Sequence, residues 1–193
     1  MSVTPEFRVE RATERDVALI LRLIKGLAEY EKLAHEVTAT ETALRETLFG
    51  ARPGAEVVVG YTGDTPVGFA LFFPNYSTFL GKPGIYLEDL FVLPEWRGHG
   101  FGRGLLAHLA RLAVERGCGR FEWSVLDWND PAIGFYKSLG AKLMDGWSIF
   151  RLTGDALQKL ASGASAGLKG PPDMFALSPP YISALATASA SVS

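Results

Sequence analysis

Apolar residues recur along this chain at two spacings, and each spacing predicts an element type. Val17, Ile20, Leu21, Ile24, Leu27 and Ala28 fall three and four residues apart, which lines them along one stripe of a helix over 14–33. Thr13 followed by Asp16 resembles a capping box, with Asp in place of Glu. Thr40 starts a second, shorter helix with Leu44 and Leu48 on one side, and the Ala-Arg-Pro-Gly run at 51–54 ends it. Alternating or β-rich runs predict a first strand over 7–9 and two more over 56–61 and 66–73, joined through Thr62-Gly63-Asp64 as a hairpin. The span 75–84 reads as a loop. The span 85–93 reads as a strand, 101–116 as a helix with Leu105, Leu109 and Leu112 towards the core, and 121–126 as a strand. A short helix over 131–139 and one or two terminal strands over 142–152 complete the series. The order implies an α/β fold with a mixed sheet, and no internal repeat is evident.

The periodic patterns stop near residue 160. The segment 161–193 is dense in Ala, Ser, Gly and Pro and has only Lys169 and Asp173 as charged side chains. It offers little apolar area against the entropy of ordering, so a domain at 1–160 with a disordered tail at 161–193 is expected. The alternative is docking of the tail through Met174, Phe175, Leu177, Tyr181 and Ile182.

Composition narrows the function classes. Hydrophobic residues make up 48% of the 193, enough for an ordinary packed core without staples. The 19 Lys and Arg against 21 Asp and Glu leave a net charge of −2, with no basic excess for a nucleic-acid backbone. A lone cysteine, Cys118, excludes an internal disulfide framework, and no run of about 20 apolar residues predicts a membrane span. The start MSVTPEFRVER has no apolar signal core, which makes the cytoplasm the expected location. His35, His99 and His108 show no metal-ligand spacing, so no metal is expected.

The densest chemical signal follows the strand at 85–93. Arg97, Gly98, Gly100, Gly102 and Gly104 come next, and a helix begins at once. Glycines permit a tight loop whose N–H groups converge, and the helix start adds unpaired donors and the positive end of a dipole. Such a loop suits a pyrophosphate; the alternative is a tight structural turn. The GK[ST] ending of a P-loop is absent, and the alternate-residue glycines do not fit a dinucleotide fingerprint.

RGHGFG at 97–102 resembles the Arg/Gln-x-x-Gly-x-Gly/Ala pyrophosphate loop of the GNAT acetyltransferase superfamily. YLEDLFV at 86–92, WSVLDWN at 123–129, FYKSLGA at 135–141 and RLIKGLAEYE at 22–31 resemble its diamine branch. That branch contains spermidine/spermine N1-acetyltransferases, thialysine acetyltransferases and plant ornithine-type enzymes. The resemblance spans residues 7–160. It implies a GNAT-like, mainly antiparallel twisted sheet flanked by helices, acetyl-CoA as cosubstrate, a small cationic amine as acceptor, and a homodimer in which 147–152 is a candidate exchanged strand.

The resemblance also assigns roles. Leu90, Phe91 and Val92 would meet the coenzyme where neighbouring strands splay. Arg97, Gly98, His99, Gly100, Phe101, Gly102 and Arg103 would form its phosphate loop, and Asn129, Ala132 and Tyr136 would also touch it. Tyr136 would donate a proton to the departing thiolate, which its phenol, protonated at neutral pH, can do; a core aromatic is the alternative. Glu88 would take the amine proton, directly or through water, or else stand as a rim carboxylate. Tyr30, Glu31, Asp89 and Asp145 would line the amine cleft, although the segment before Trp147 is shorter than in the polyamine enzymes. Adjacent Glu88 and Asp89 on one strand should point to opposite faces. Trp123, Trp128 and Trp147 read as packing or dimer residues ahead of a cation cage.

With no histidine beside Cys118 in sequence, direct transfer without an acyl-enzyme is expected. WSVLDWN and WSIFRLTGDAL resemble the thialysine and ornithine-type enzymes more than the polyamine ones, which ranks short diamines first. Spermidine or spermine is the alternative, and a non-catalytic acyl-CoA-binding sensor is an alternative of another class.

Overall fold

The computed structural model describes residues 6–163, which fall into two compact units divided between Gly140 and Ala141. The first unit is ordered β1 (Phe7–Arg11), α1 (Val17–Tyr30), α2 (Glu41–Phe49), β2 (Glu56–Thr62), β3 (Thr65–Ser77), β4 (Lys82–Val92), α3 (Phe101–Glu115), β5 (Arg120–Trp123) and α4 (Asp130–Ser138). The sheet runs β1-β2-β3-β4-β5. Its first three pairings are antiparallel, and β4 pairs with β5 in parallel through the α3 crossover. Local capping follows the sequence signals: the Asp16 carboxylate accepts from the Thr13 N–H at 2.7 Å and hydroxyl at 2.9 Å, and Thr40 Oγ1 accepts from the Ala43 N–H at 3.2 Å.

The continuous apolar run of β2 has a direct cause: both faces of the sheet are covered. Val57 and Val59 point into a core with Ile20 and Leu23 of α1, Leu44 and Leu48 of α2, Phe69 and Phe91. Val58 points the other way, into a core with Ala70, Phe72, Ile85, Leu87 and the α3 residues Leu105 and Leu109. Gly104 lets α3 approach closely, because a Cβ there would overlap the Phe7 ring.

Three expectations are corrected. The span 75–84 is not a loop: Asn75↔Gly84, Tyr76↔Pro83 and Ser77↔Lys82 continue the β3–β4 ladder, leaving only 78–81 as the turn. Polar bonds replace apolar alternation there, with Asn75 Nδ2 donating to Glu122 Oε2 at 2.8 Å and the Gly119 N–H to Pro83 O at 2.8 Å. Strand β5 ends at Trp123 rather than 126. In the second unit, 142–152 forms no strand, and Leu143, Ile149, Phe150 and Leu152 are exposed among the described residues. The regular element of that unit is instead a helix, α5 (Gly154–Ala161), with Leu157 and Leu160 at helical spacing. The expected tail from 164 onward, with its candidate docking residues, lies outside the described residues. Among the described residues, no helix is long and apolar enough to cross a membrane.

Candidate active site

Two irregularities of β4 build the site. The first is a loss of pairing. The parallel ladder stops at Leu87↔Trp123, while β4 continues to Val92 against β3 alone. From Glu88 to Val92, β4 therefore has no strand neighbour on its far edge among the described residues, and the sheet opens into a wedge floored by backbone.

The second is a bulge. Leu71 faces Asp89 and Phe72 faces Leu87, so Glu88 is the extra residue. The bulge shifts the pleat by one. Ile85 and Leu87 belong to the α3-side core, and so do Leu90 and Val92, although strict alternation would separate the odd from the even positions. Phe91 packs on the α1 side, and Asp89 sits opposite Leu71 on that same side. Strict alternation, the basis for expecting Glu88 and Asp89 on opposite faces, fails here. The two carboxylates are electrically coupled, with Glu88 exposed and Asp89 half-buried.

That coupling shows in the proton affinities. Burial first, then the charges of Glu88 and Glu31, push Asp89 from its ordinary 3.8 up to about 6. Burial also raises Glu31. Tyr136 is raised above its ordinary 10, by burial first and then by Glu31 and Tyr30, so its phenol holds its proton at neutral pH. Glu31 is thus the neighbour that Asp89 and Tyr136 share. Tyr136 also lies against the Trp123 ring at 5.1 Å, at the last paired residue of β5.

The glycine loop follows β4 after a 3-10 turn over Pro94–Trp96. Gly98 and Gly100 have φ of +80° and +83°, and a Cβ at either would meet nothing within 4 Å. Glycine is there for backbone conformation, not for space. Helix α3 then begins at Phe101, where the N–H groups of Phe101, Gly102 and Arg103 have no intrahelical acceptor and the dipole end is positive. His99 stacks on Phe101 at 5.7 Å and Phe101 on Phe7 at 4.7 Å, which fixes the loop to β1. Arg103 is exposed beside the helix start.

Arg97 joins loop and wedge. Its Nε donates to Val92 O at 3.1 Å, and its guanidinium lies 4.3 Å from the Tyr30 ring centre. The Tyr30 hydroxyl reaches Asn129 Oδ1 at 3.5 Å, and the same oxygen accepts the Ala132 N–H at 3.4 Å as the cap of α4. Trp128 lies 6.1 Å from the Tyr30 ring. Spacing in the sequence carries no sign of the Arg97–Tyr30 and Tyr30–Asn129 contacts, because the partners are far apart along the chain. Asp145 lies in the second unit and is exposed.

The first unit therefore gathers a glycine loop at a helix start, a wedge of backbone, a protonated phenol and three carboxylates. Among the described residues, no group of three or more His, Cys, Asp and Glu side chains is placed to hold a metal. Such a set can bind a phosphate-bearing ligand at one end and a cation at the other, and can give and take protons between them.

Comparison with known proteins bears on this directly. Residues 24–141 match the model of the acetyltransferase (GNAT) family. The chain is 39% identical over 165 residues to a thialysine N-epsilon-acetyltransferase of Mus musculus, covering 80% of this chain and 96% of that one. It is 37% identical over 198 residues to an L-ornithine N5-acetyltransferase of Arabidopsis thaliana, covering 79% and 87%. Among solved structures, an integron cassette protein from the mobile metagenome of V. cholerae superposes with a TM-score of 0.69 at 28% identity, covering 80% of this chain and 97% of that one. Loop and wedge both lie within the matched residues, and the chain is an acetyltransferase enzyme of the GNAT family.

Proposed function

We propose that this enzyme transfers an acetyl group from acetyl-CoA to a primary amine of a small diamine, with thialysine, ornithine or lysine-like acceptors ahead of spermidine and spermine. The observation that carries the reading is the wedge between β4 and β5, with the glycine loop at its end, Tyr136 against Trp123, and Asp89 beside Glu31 and Glu88. The relatives that act on thialysine and ornithine support the choice of acceptor.

The residues present fit acetyl-CoA. Positive-φ glycines keep side chains out of the loop, and the α3 start presents unpaired N–H groups to anionic oxygens. Gly98, His99, Gly100, Phe101, Gly102 and Arg103 would hold the pyrophosphate, with Arg97 adding charge. Leu90, Phe91 and Val92 would line the acyl arm through the open β4 edge, and Asn129, Ala132 and Tyr136 would close the other side. When bound, the coenzyme supplies an acetyl group activated as a thioester.

The remaining chemistry belongs to the chain. Glu88, Asp89 and Glu31 draw a cationic amine into the wedge. A carboxylate of this group, directly or through water, accepts the amine proton so that a neutral nitrogen can attack. Backbone N–H groups on the β4 edge polarise the carbonyl. Tyr136 gives its proton to the leaving sulfur, and its raised proton affinity keeps it loaded at neutral pH. Transfer is direct, and the working enzyme is a homodimer.

Thiol release from acetyl-CoA with ornithine, lysine, thialysine, putrescine, spermidine and spermine tests the reading through kcat/KM. Preference for the amino-acid diamines supports it. Preference for spermidine or spermine replaces the acceptor. Coenzyme binding without turnover on any amine refutes it in favour of a sensor.

A further inference from the structure

Helix α4 carries Tyr136 and has no fully buried residue; the partly buried Phe135 and Tyr136 rest it on the α3-side core, and polar contacts at its first turn add to that packing. Its first turn is tied down by Asn129, itself 9% exposed, whose N–H donates to Leu126 O at 2.8 Å and whose Oδ1 accepts the Ala132 N–H. The partner of that cap from outside the segment is Tyr30, the last residue of α1. Tyr30 is held in turn by Arg97, which lies over its ring, within reach of the Phe91 ring at 5.7 Å, and donates to Val92 O.

We propose that Tyr30 is a positioning residue, which links Arg97 of the glycine loop to the Asn129 cap and so sets where α4 holds Tyr136. This differs from a role in binding the amine. The Tyr30 hydroxyl is directed at Asn129, one ring face lies under a guanidinium, and Trp128 stands against the ring. A second cation on the covered face would meet the charge of Arg97. The link also makes the coenzyme loop and the acid-bearing helix parts of one device, because a displacement of Arg97 is felt at the cap of α4.

The kinetic part of the inference rests on the acetyl-transfer reading; the structural part does not. Tyr30→Phe keeps the ring and its contact with Arg97 and removes only the hydroxyl. Amide hydrogen exchange of the ligand-free full chain should then rise over 130–138 by roughly twofold, the size expected for one long, weak neutral hydrogen bond, with the sheet unchanged. Arg97→Ala, which leaves the Tyr30 hydroxyl in place, should raise exchange over the same residues. In turnover, Tyr30→Phe should lower kcat by about tenfold at an unchanged amine KM, as expected when an acid is misplaced and binding is kept. With Asn129→Ala already present, Tyr30→Phe should have little further effect. Unchanged exchange over 130–138 in Tyr30→Phe overturns the inference, as does a raised amine KM at unchanged kcat. If the wild-type chain turns over no amine, the functional proposal fails and the exchange experiment still decides this one.

Discussion

Asp89→Asn removes a charge that the folded chain holds under adverse conditions. The folded carboxyl titrates near 6, while the unfolded one keeps its ordinary 3.8. Between these values the folded state binds more protons than the unfolded state, so stability falls as pH rises through the window. Below pH 3.8 the group contributes nothing, and above about 6 its full penalty is present. About two pH units at 1.36 kcal/mol each bound that penalty near 3 kcal/mol. Asp89 is only half-buried and the Asn amide has its own desolvation, so the expected gain for Asp89→Asn at pH 7.5 is about 1–2 kcal/mol. Urea denaturation of wild type and variant in steps from pH 4.5 to 8 reads it directly. The two stability curves should converge at the acid end and separate through pH 6, with the variant above. Parallel curves, or a variant less stable than wild type at pH 8, would refute the reasoning. A bound diamine should reverse the trend: opposite charge beside Asp89 lowers its proton affinity, so amine affinity should climb as pH passes 6 and this dependence should vanish in Asp89→Asn.

Tyr136→Phe is expected to lower kcat by about 10²–10⁴ with acetyl-CoA affinity kept within a few-fold, read by turnover and calorimetry. Gly100→Ala places a side chain at a φ of +83°, which should cost about 1–2 kcal/mol and weaken acetyl-CoA binding together with it. Gly104→Ala drives a methyl into the Phe7 ring and should destabilise by about 1–3 kcal/mol, seen in thermal melts with the loop residues untouched. Glu56 is held below its ordinary 4.5, chiefly by its paired bonds from Arg116 at 2.5 and 2.8 Å. Its stabilisation is present above that pKa and lost as pH falls through the lowered one. The pair is partly solvated, so Glu56→Gln should cost under about 1 kcal/mol at pH 7, and the difference should disappear in acid melts.

Much of the architecture was legible because it rests on local signals. The stripe of Val17, Ile20 and Ile24, the caps at Thr13 and Thr40, and the glycine loop each declare themselves within a few residues. The β3–β4 extension was not, since Asn75, Lys82 and Pro83 look like turn residues until β5 supplies partners, with Glu122 accepting from Asn75 and Arg120 donating to the Tyr76 carbonyl. The span 142–152 has strand-like composition, but composition cannot supply a pairing edge. At the site, the residue types were readable and their arrangement was not. A bulge leaves no mark in YLEDLFV, yet it decides which carboxylate is sheltered. Arg97, Tyr30 and Asn129 are brought together by tertiary folding alone.

The open edge of β4 also determines how the enzyme tolerates change. Its floor consists of peptide groups, which every amino acid but proline supplies alike. Substitution of Leu90, Phe91 or Val92 by another apolar residue alters packing and leaves the N–H donors standing. Mutational scans will therefore read packing there, most of all at the buried Phe91, and will not read the peptide groups themselves. Only a backbone edit, such as an amide-to-ester replacement, would expose what the strand contributes.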